Sequence, residues 1–483
     1  MLDPDRLPVK LGPCGTEEYA PLPLDAVTAA AVRLAREACD DNARRTGMSR
    51  RAFLRSTCAV ATTLLALDAC SKAAHKAAGR APGGAFRIPR EATTEPDAAR
   101  AALSGNEFVL DVQGHLLDHT LDPLAKAEFG ALASGFLQRR CGEHDPDDCF
   151  SIEHFLEEMF VRSDTNMLVL SAVPLPLEHD PLSPAVMRET RRVAGIVCHD
   201  DRVLLHGKVA PTARPLPEVL AGMEQLAHEM PIVGWKSYTH LLGPGWWLDD
   251  HEPGAPRVGE AFIRKAVELG VPRIAVHKGL VRAAYNTPDD VGPAARAHPD
   301  VSFLVYHSGY EHGNVEGPYR EGNPGIDALV TSLRRAGVRP NANVYVDLGT
   351  TWWNLMRDPT QGAHAWGKLL RFVGEDNVTW GTDSIWYGSP QDQIQAFRAL
   401  EISTELQERY GYPALTPAVK AKVLGLNGAR VYGVEHRIDT SCRFDRADLE
   451  RARTEAPPGS AYGPRTRREF LALGRPVANV GGR

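Results

Sequence analysis

The sequence predicts an α/β fold of the (β/α)8 TIM-barrel class, with a metal site at the C-terminal face of its strands. Strand and helix signals alternate from residue 108 to 434, as a parallel sheet with helical crossovers requires. Four of the apolar runs end in metal-competent side chains, the expected placement of chemistry in such a barrel. An open doubly wound sheet is the alternative, but no Gly-rich phosphate turn follows the first strand.

Eight strands are read in order. They are Phe108–Leu110, Met167–Val173, Val203–Ala210, Ile232–Lys236, Arg273–Val276, Val301–Tyr306, Val344–Leu348 and Asn377–Trp380, each a short run rich in β-branched and apolar residues. Helical periodicity falls between them at 217–230, 258–269, 325–336, 366–373 and 390–410. The connection 116–165 is too long for an ordinary strand-to-helix loop. It carries His119, Asp122, His144, Asp145, Asp147 and Asp148 around a helical stretch at 123–138, and reads as an insertion or lid.

Outside the barrel, taken as 106–435, the composition changes. Residues 1–48 form an N-terminal extension, and Met48 is an alternative start. Within 49–70, Ser49-Arg50-Arg51-Ala52-Phe53-Leu54-Arg55 precedes a modest apolar run and resembles a twin-arginine export signal. The run is too short to span a bilayer, which needs about 20 apolar residues. Leu67-Asp68-Ala69-Cys70 looks like a lipobox with an unorthodox Asp68, so Cys70 is a candidate lipidation site and the segment a candidate membrane tether. Residues 71–105, rich in Ala, Gly, Pro and charge, are expected to be a linker without a core, and 436–483 a C-terminal extension. Export to an extracytoplasmic or cell-surface location is the matching expectation, and in an oxidising compartment Cys141 and Cys149 either pair as a disulfide or stay unpaired as small buried residues.

A net charge of -6 without long single-sign blocks gives no footprint for nucleic acid and leaves a small molecule as the expected partner. A homodimer is left open.

The strand-end segments Asp111-Val112-Gln113-Gly114-His115, Val276-His277-Lys278, Tyr306-His307-Ser308-Gly309 and Gly381-Thr382-Asp383-Ser384 bring three histidines and an aspartate toward one mouth. Imidazole nitrogen with carboxylate oxygen suits one divalent ion, zinc above all, with manganese or iron as alternatives. His206, His240 and His298 lack this pattern and default to structural histidines. Asp111 points to the same side as Gln113 and is expected to accept hydrogen bonds behind the site. Lys236 at the fourth strand's end is a candidate for an anionic substrate group or a buried ion pair. Trp246-Trp247, Trp352-Trp353 and Trp386-Tyr387 supply aromatic walls, with Trp352 and Trp386 as candidate substrate contacts.

The ordered strand-end residues, with Val423-Leu424-Gly425-Leu426-Asn427-Gly428-Ala429-Arg430-Val431-Tyr432-Gly433, resemble the amidohydrolase superfamily over roughly 106–435. The branch that includes aminocarboxymuconate semialdehyde decarboxylase is the closer likeness. The resemblance implies a first-strand His-x-His, here Gln113-Gly114-His115. It also implies metal ligation by His115, His277 and Asp383, with Gln113 at the remaining ligand position, and His307 and Asp383 as catalytic residues. It further implies a metal-bound hydroxide acting on a small amide, ester or lactone, or alternatively non-oxidative decarboxylation of an aromatic or cyclic acid. At Gln113 the family's imidazole is replaced by an amide, a neutral and weaker ligand for zinc. A silent binding lipoprotein that has lost its metal through Gln113 is therefore the rival from another class.

Overall fold

The N-terminal quarter is helical and belongs to the folded body. The computed structural model describes residues 7–12, 23–117, 149–174, 180, 182–198 and 201–438. The helix expected at 123–138, the polar residues of the candidate lid from His119 to Asp148, and the extension beyond residue 438 lie outside the described residues. Helix α1 (Ala26–Arg45) starts at Asp25, whose carboxylate accepts from Val27 N and Thr28 N at 2.9 Å each. After α2 (Arg50–Phe53), α3 (Thr57–Ala77) packs along α1. Ala31, Ala35, Ala59 and Ala61 are buried there, small enough for close helix approach, alongside Phe53, Leu64 and Leu67.

The residues expected to be a linker have structure of their own. Ser71 Oγ and His75 Nε2 meet the Asp358 carboxylate at 2.8 and 3.0 Å. Strand β1 (Gly84–Phe86) and helix α4 (Pro96–Leu103) follow. The reading of 71–105 as coreless is thus corrected: its large apolar side chains are few, but Phe86, Ile88, Ala92, Ala99 and Leu103 are buried against a surface that composition does not reveal. Among the described residues no helix is long and apolar enough to cross a membrane.

The barrel wall is a seven-stranded parallel sheet in sequential order. Its strands are β2 (Leu110–Gly114), β3 (Met167–Leu170), β4 (Val203–Lys208), β5 (Ile232–Tyr238), β6 (Arg273–His277), β7 (Ser302–Tyr306) and β8 (Val344–Val346). Residues 377–380, expected as the eighth strand, and the strand-end segment 381–384 form only isolated bridges, Val346 to Val378 and Gly114 to Ser384. They nonetheless close the ring. Thr379 N donates to Val346 O at 2.8 Å on one side, while Val112 N donates to Trp380 O at 2.8 Å and Asp383 N to Gln113 O at 3.0 Å on the other. The eighth stave is irregular because Asp383 has a left-handed φ of 60°, which no continuous ladder accommodates.

Helices at Leu216–Glu229, Val258–Glu268 and Ile326–Ala336 match the sequence periodicity. The stretch expected as one helix at 390–410 is instead two, Gln391–Ala399 and Thr404–Tyr410, separated by β9 (Leu400–Ile402). β9 pairs antiparallel with β1, so a tertiary partner 300 residues away in sequence breaks the helix. Cys149 is disulfide-bonded, whereas Cys141 lies outside the described residues.

Candidate metal centre

Each strand-end residue is buried, and five of them share one place. Gln113 and His115 leave β2 on the same side, since alternate residues of a strand face alike. His277 ends β6, His307 follows β7, and Asp383 follows the eighth stave. Asp383 Oδ1 lies 3.2 Å from His115 Nε2 and 3.0 Å from Gln113 Nε2. The same Gln113 nitrogen is 3.4 Å from both His115 Nε2 and His307 Nε2. The His277 ring centroid is 4.5 Å from that of His307.

Neighbouring groups set the tautomer of every imidazole. His115 Nδ1 and His307 Nδ1 face the carbonyl oxygens of Ser171 and Gly349 at 2.7 and 2.8 Å, so both Nδ1 atoms carry hydrogen. His277 Nδ1 is 3.0 Å from Asn286 Oδ1. The Asn286 amide nitrogen is committed to Gly279 O and Val281 O at 2.7 and 2.6 Å, which leaves its oxygen as acceptor and makes His277 Nδ1 the donor. In the neutral rings Nε2 is then the lone-pair nitrogen, the arrangement by which outer hydrogen bonds orient metal-ligating histidines. Burial, followed by the Lys236 charge, pushes His277 down to about 3, so its lone pair is available at neutral pH.

The carboxylates divide into two kinds. Burial opposes the charge on Asp383. The His115 hydrogen bond, the charges of His307 and His115, and the Thr350 hydroxyl outweigh it and hold the carboxyl well below the usual range. Thr350 Oγ1 bonds Asp383 Oδ2 and lies 2.8 Å from the Tyr387 hydroxyl. Burial instead pushes Asp111 and Asp347 up to about 7. Asp111 accepts from Gln113 N and Thr382 N at 3.0 and 3.1 Å, and Asp347 from His307 N and Gly349 N at 3.1 and 3.0 Å. Two acidic side chains thus pin the loops that carry the four central residues. Those loops are strained: His307, Ser308, Thr350 and Asp383 all have φ between 55° and 64°. Each costs of order 1 kcal/mol and persists because surrounding bonds dictate it, as at functional sites.

The remaining candidates separate. Trp386 stacks on His115 with centroids 6.0 Å apart and touches Phe150. Trp352, expected as a substrate wall, is instead core: its indole nitrogen donates to Gln393 O and its ring abuts Trp366 and Phe397. Trp353 takes the inner position by stacking on Tyr387 at 4.4 Å, a choice between adjacent residues that helix phase decides. Lys236 is fully buried, its ammonium over Tyr306 at 3.9 Å and Tyr238 at 4.4 Å. Cys70 sits in α3 as a free thiol. Tyr387 was read only as part of an aromatic wall, and Asp347, Thr350 and Asn286 were not legible as site residues, although an acidic Asp347 inside the apolar run Val344–Leu348 repeats the signal of Asp111 in the first strand.

A parallel barrel with histidines and an ionised aspartate at the C-terminal mouth defines a class of α/β-barrel enzymes whose chemistry sits at the strand ends. Residues 110–434 match the amidohydrolase family, and the chain belongs to it. It is accordingly an enzyme of the amidohydrolase kind. No curated protein matches the chain. Similar solved structures include a 5-carboxyvanillate decarboxylase from Sphingomonas paucimobilis, 13% identical, covering 68% of this chain and 99% of that one with a TM-score of 0.44. A 2,6-dihydroxybenzoate decarboxylase from Rhizobium is 12% identical over 68% and 99% of the two chains, TM-score 0.37. A 4-oxalomesaconate hydratase from Rhodopseudomonas palustris is 14% identical over 69% and 98%, TM-score 0.38.

The family implies a metal, and the donor chemistry fits one: three imidazoles whose Nδ1 atoms are committed outward, so that Nε2 is the lone-pair atom of each neutral ring, beside the Asp383 carboxyl. Among the described residues, however, no three His, Cys, Asp or Glu side chains already stand with ligand spacing. The Gln113 amide nitrogen lies amid the acceptor atoms instead.

Proposed function

We propose that this chain is a metal-dependent hydrolase of a small amide, ester or lactone, with His115, His277 and Asp383 holding one divalent ion and Gln113 beside it. The observation that carries this reading is the set of imidazoles fixed by Ser171, Gly349 and Asn286 around an ionised Asp383. When bound, the ion supplies Lewis acidity and brings the pKa of water toward neutrality.

The chain's own groups handle the protons. Asp383 Oδ1, kept ionised, accepts the proton of the attacking water and returns it to the leaving group. His307 has its Nδ1–H committed to Gly349 O, so it donates from Nε2 only as imidazolium, a state that the neighbouring Asp383 charge favours. In that form it stabilises the developing oxyanion. Trp386 over His115 offers a flat apolar wall, which also supports decarboxylation of an aromatic or cyclic acid as a second reading.

The test is a panel of ester, lactone, amide and aromatic-acid substrates with manganese or zinc in excess. Turnover is expected with the ion, lost on chelation, and lost in His277→Ala together with ion binding. Full ion binding by His277→Ala, or turnover unaffected by chelation, would sink this assignment.

Export rests on the pattern around Arg50 and Arg51 alone, and the burial of α3 supports a form in which the segment is retained. Exchanging both arginines for lysine is expected to keep the protein cytoplasmic; unchanged secretion would contradict export by this route.

A further inference from the structure

The atom nearest the middle of the site is a hydrogen-bond donor. Gln113 Nε2 donates to Asp383 Oδ1 at 3.0 Å and lies 3.4 Å from both His115 Nε2 and His307 Nε2. Asp383 Oδ1 and His115 Nε2 stand 3.2 Å apart beside that nitrogen. The amide group thus supplies the partial positive charge that an ion would otherwise supply.

The other end of the same amide is not satisfied. Gln113 Oε1 is buried with no hydrogen-bond partner, although Gln113 is only 1% exposed. It occupies space that exists because residue 349 is glycine: a Cβ there would stand 2.1 Å from Oε1. Any larger residue at 349 would exclude this orientation. Leaving an acceptor buried and unpaired carries a desolvation cost, so the orientation seen is not fully satisfied. The terminal amide torsion is soft and two-fold, so a turn of about 180° exchanges nitrogen and oxygen. The backbone stays in place, since Gln113 N is bonded to Asp111.

We propose that Gln113 is an amide latch: nitrogen-in, it closes the metal-free site, and oxygen-in, it becomes a neutral ligand to a divalent ion. The proposal rests on the metal reading above. Its consequence is reversible ion occupancy with a bias toward oxygen-preferring ions such as manganese over zinc, because the amide oxygen is a harder ligand than the imidazole it replaces. The ion must displace the amide's bond to a charged carboxylate before it can bind.

Equilibrium dialysis of the full chain with manganese alone and zinc alone, for wild type and Gln113→His, tests the ligand half. The histidine variant is expected to bind zinc at least about tenfold more tightly than wild type, with a smaller gain for manganese. Thermal melting in chelator of wild type and Gln113→Leu tests the donor half. The leucine variant is expected to melt lower by roughly 2 °C or more, or to fail to fold, because the buried Asp383 carboxylate loses the Gln113 N–H that bonds it. Equal zinc affinity in wild type and Gln113→His would overturn the latch while leaving the metal centre standing. Coincident melting of wild type and Gln113→Leu in chelator would overturn it as well. Absence of any ion on Gln113→His would instead remove the metal reading itself, and the latch with it.

Discussion

Asp383→Asn is expected to lower kcat by about 10²–10⁴-fold, the range for loss of a positioned general acid–base group. The substitution keeps size and shape, and the amide oxygen can still accept from Thr350 or Gln113, so the fold should survive. What disappears is a carboxylate held ionised inside the protein against its own burial. Without that charge, His307 has no anion to favour its imidazolium form, and the water has no base. Kinetics on the best substrate of the panel, with a melting curve as control, check this. A variant that folds and keeps kcat within about threefold would remove Asp383 from proton transfer.

Leu64→Ala is expected to destabilise the protein by about 2–5 kcal/mol, the range for truncating a fully buried leucine. Leu64 lies in α3, within the segment whose sequence resembles an export signal. If that segment were a dispensable leader, truncation there would cost nothing measurable. The structure ties it to the barrel in two further ways. Ser71 and His75 hold Asp358, and Asp358 caps the helix Pro359–Leu369 through Thr360 N at 3.1 Å. β1 supplies the pairing partner of β9. The denaturation midpoint of Leu64→Ala relative to wild type is the measurement, and coincident midpoints would show that α3 is not part of the cooperative unit.

Much of the fold and of the site is legible in the sequence. Continuous apolar runs bounded by turn residues located the strands because a strand buried on both faces admits little else. Val276-His277 and Tyr306-His307 were readable as site positions because a polar residue ending such a run must sit at the mouth. Trp352 and Trp353 show where this reasoning stops. Both are aromatic, adjacent and buried, and only their phase on the helix Thr351–Leu355 decides which one packs outward against Phe397 and which turns toward Tyr387. Asn286 gave no signal because its role is to accept from His277 across a loop, a relation that exists only in three dimensions.

The sequence alone determined the barrel, its strand order and the identity of the residues at its C-terminal mouth, since hydrophobic periodicity and chain order are local properties. The tertiary structure decided that the N-terminal helices pack on the barrel, because that burial depends on a surface built from residues hundreds of positions later. It also decided the state of the site. Whether Gln113 presents nitrogen or oxygen depends on Asp383, His115, His307 and the space at Gly349, four partners that no linear pattern brings together.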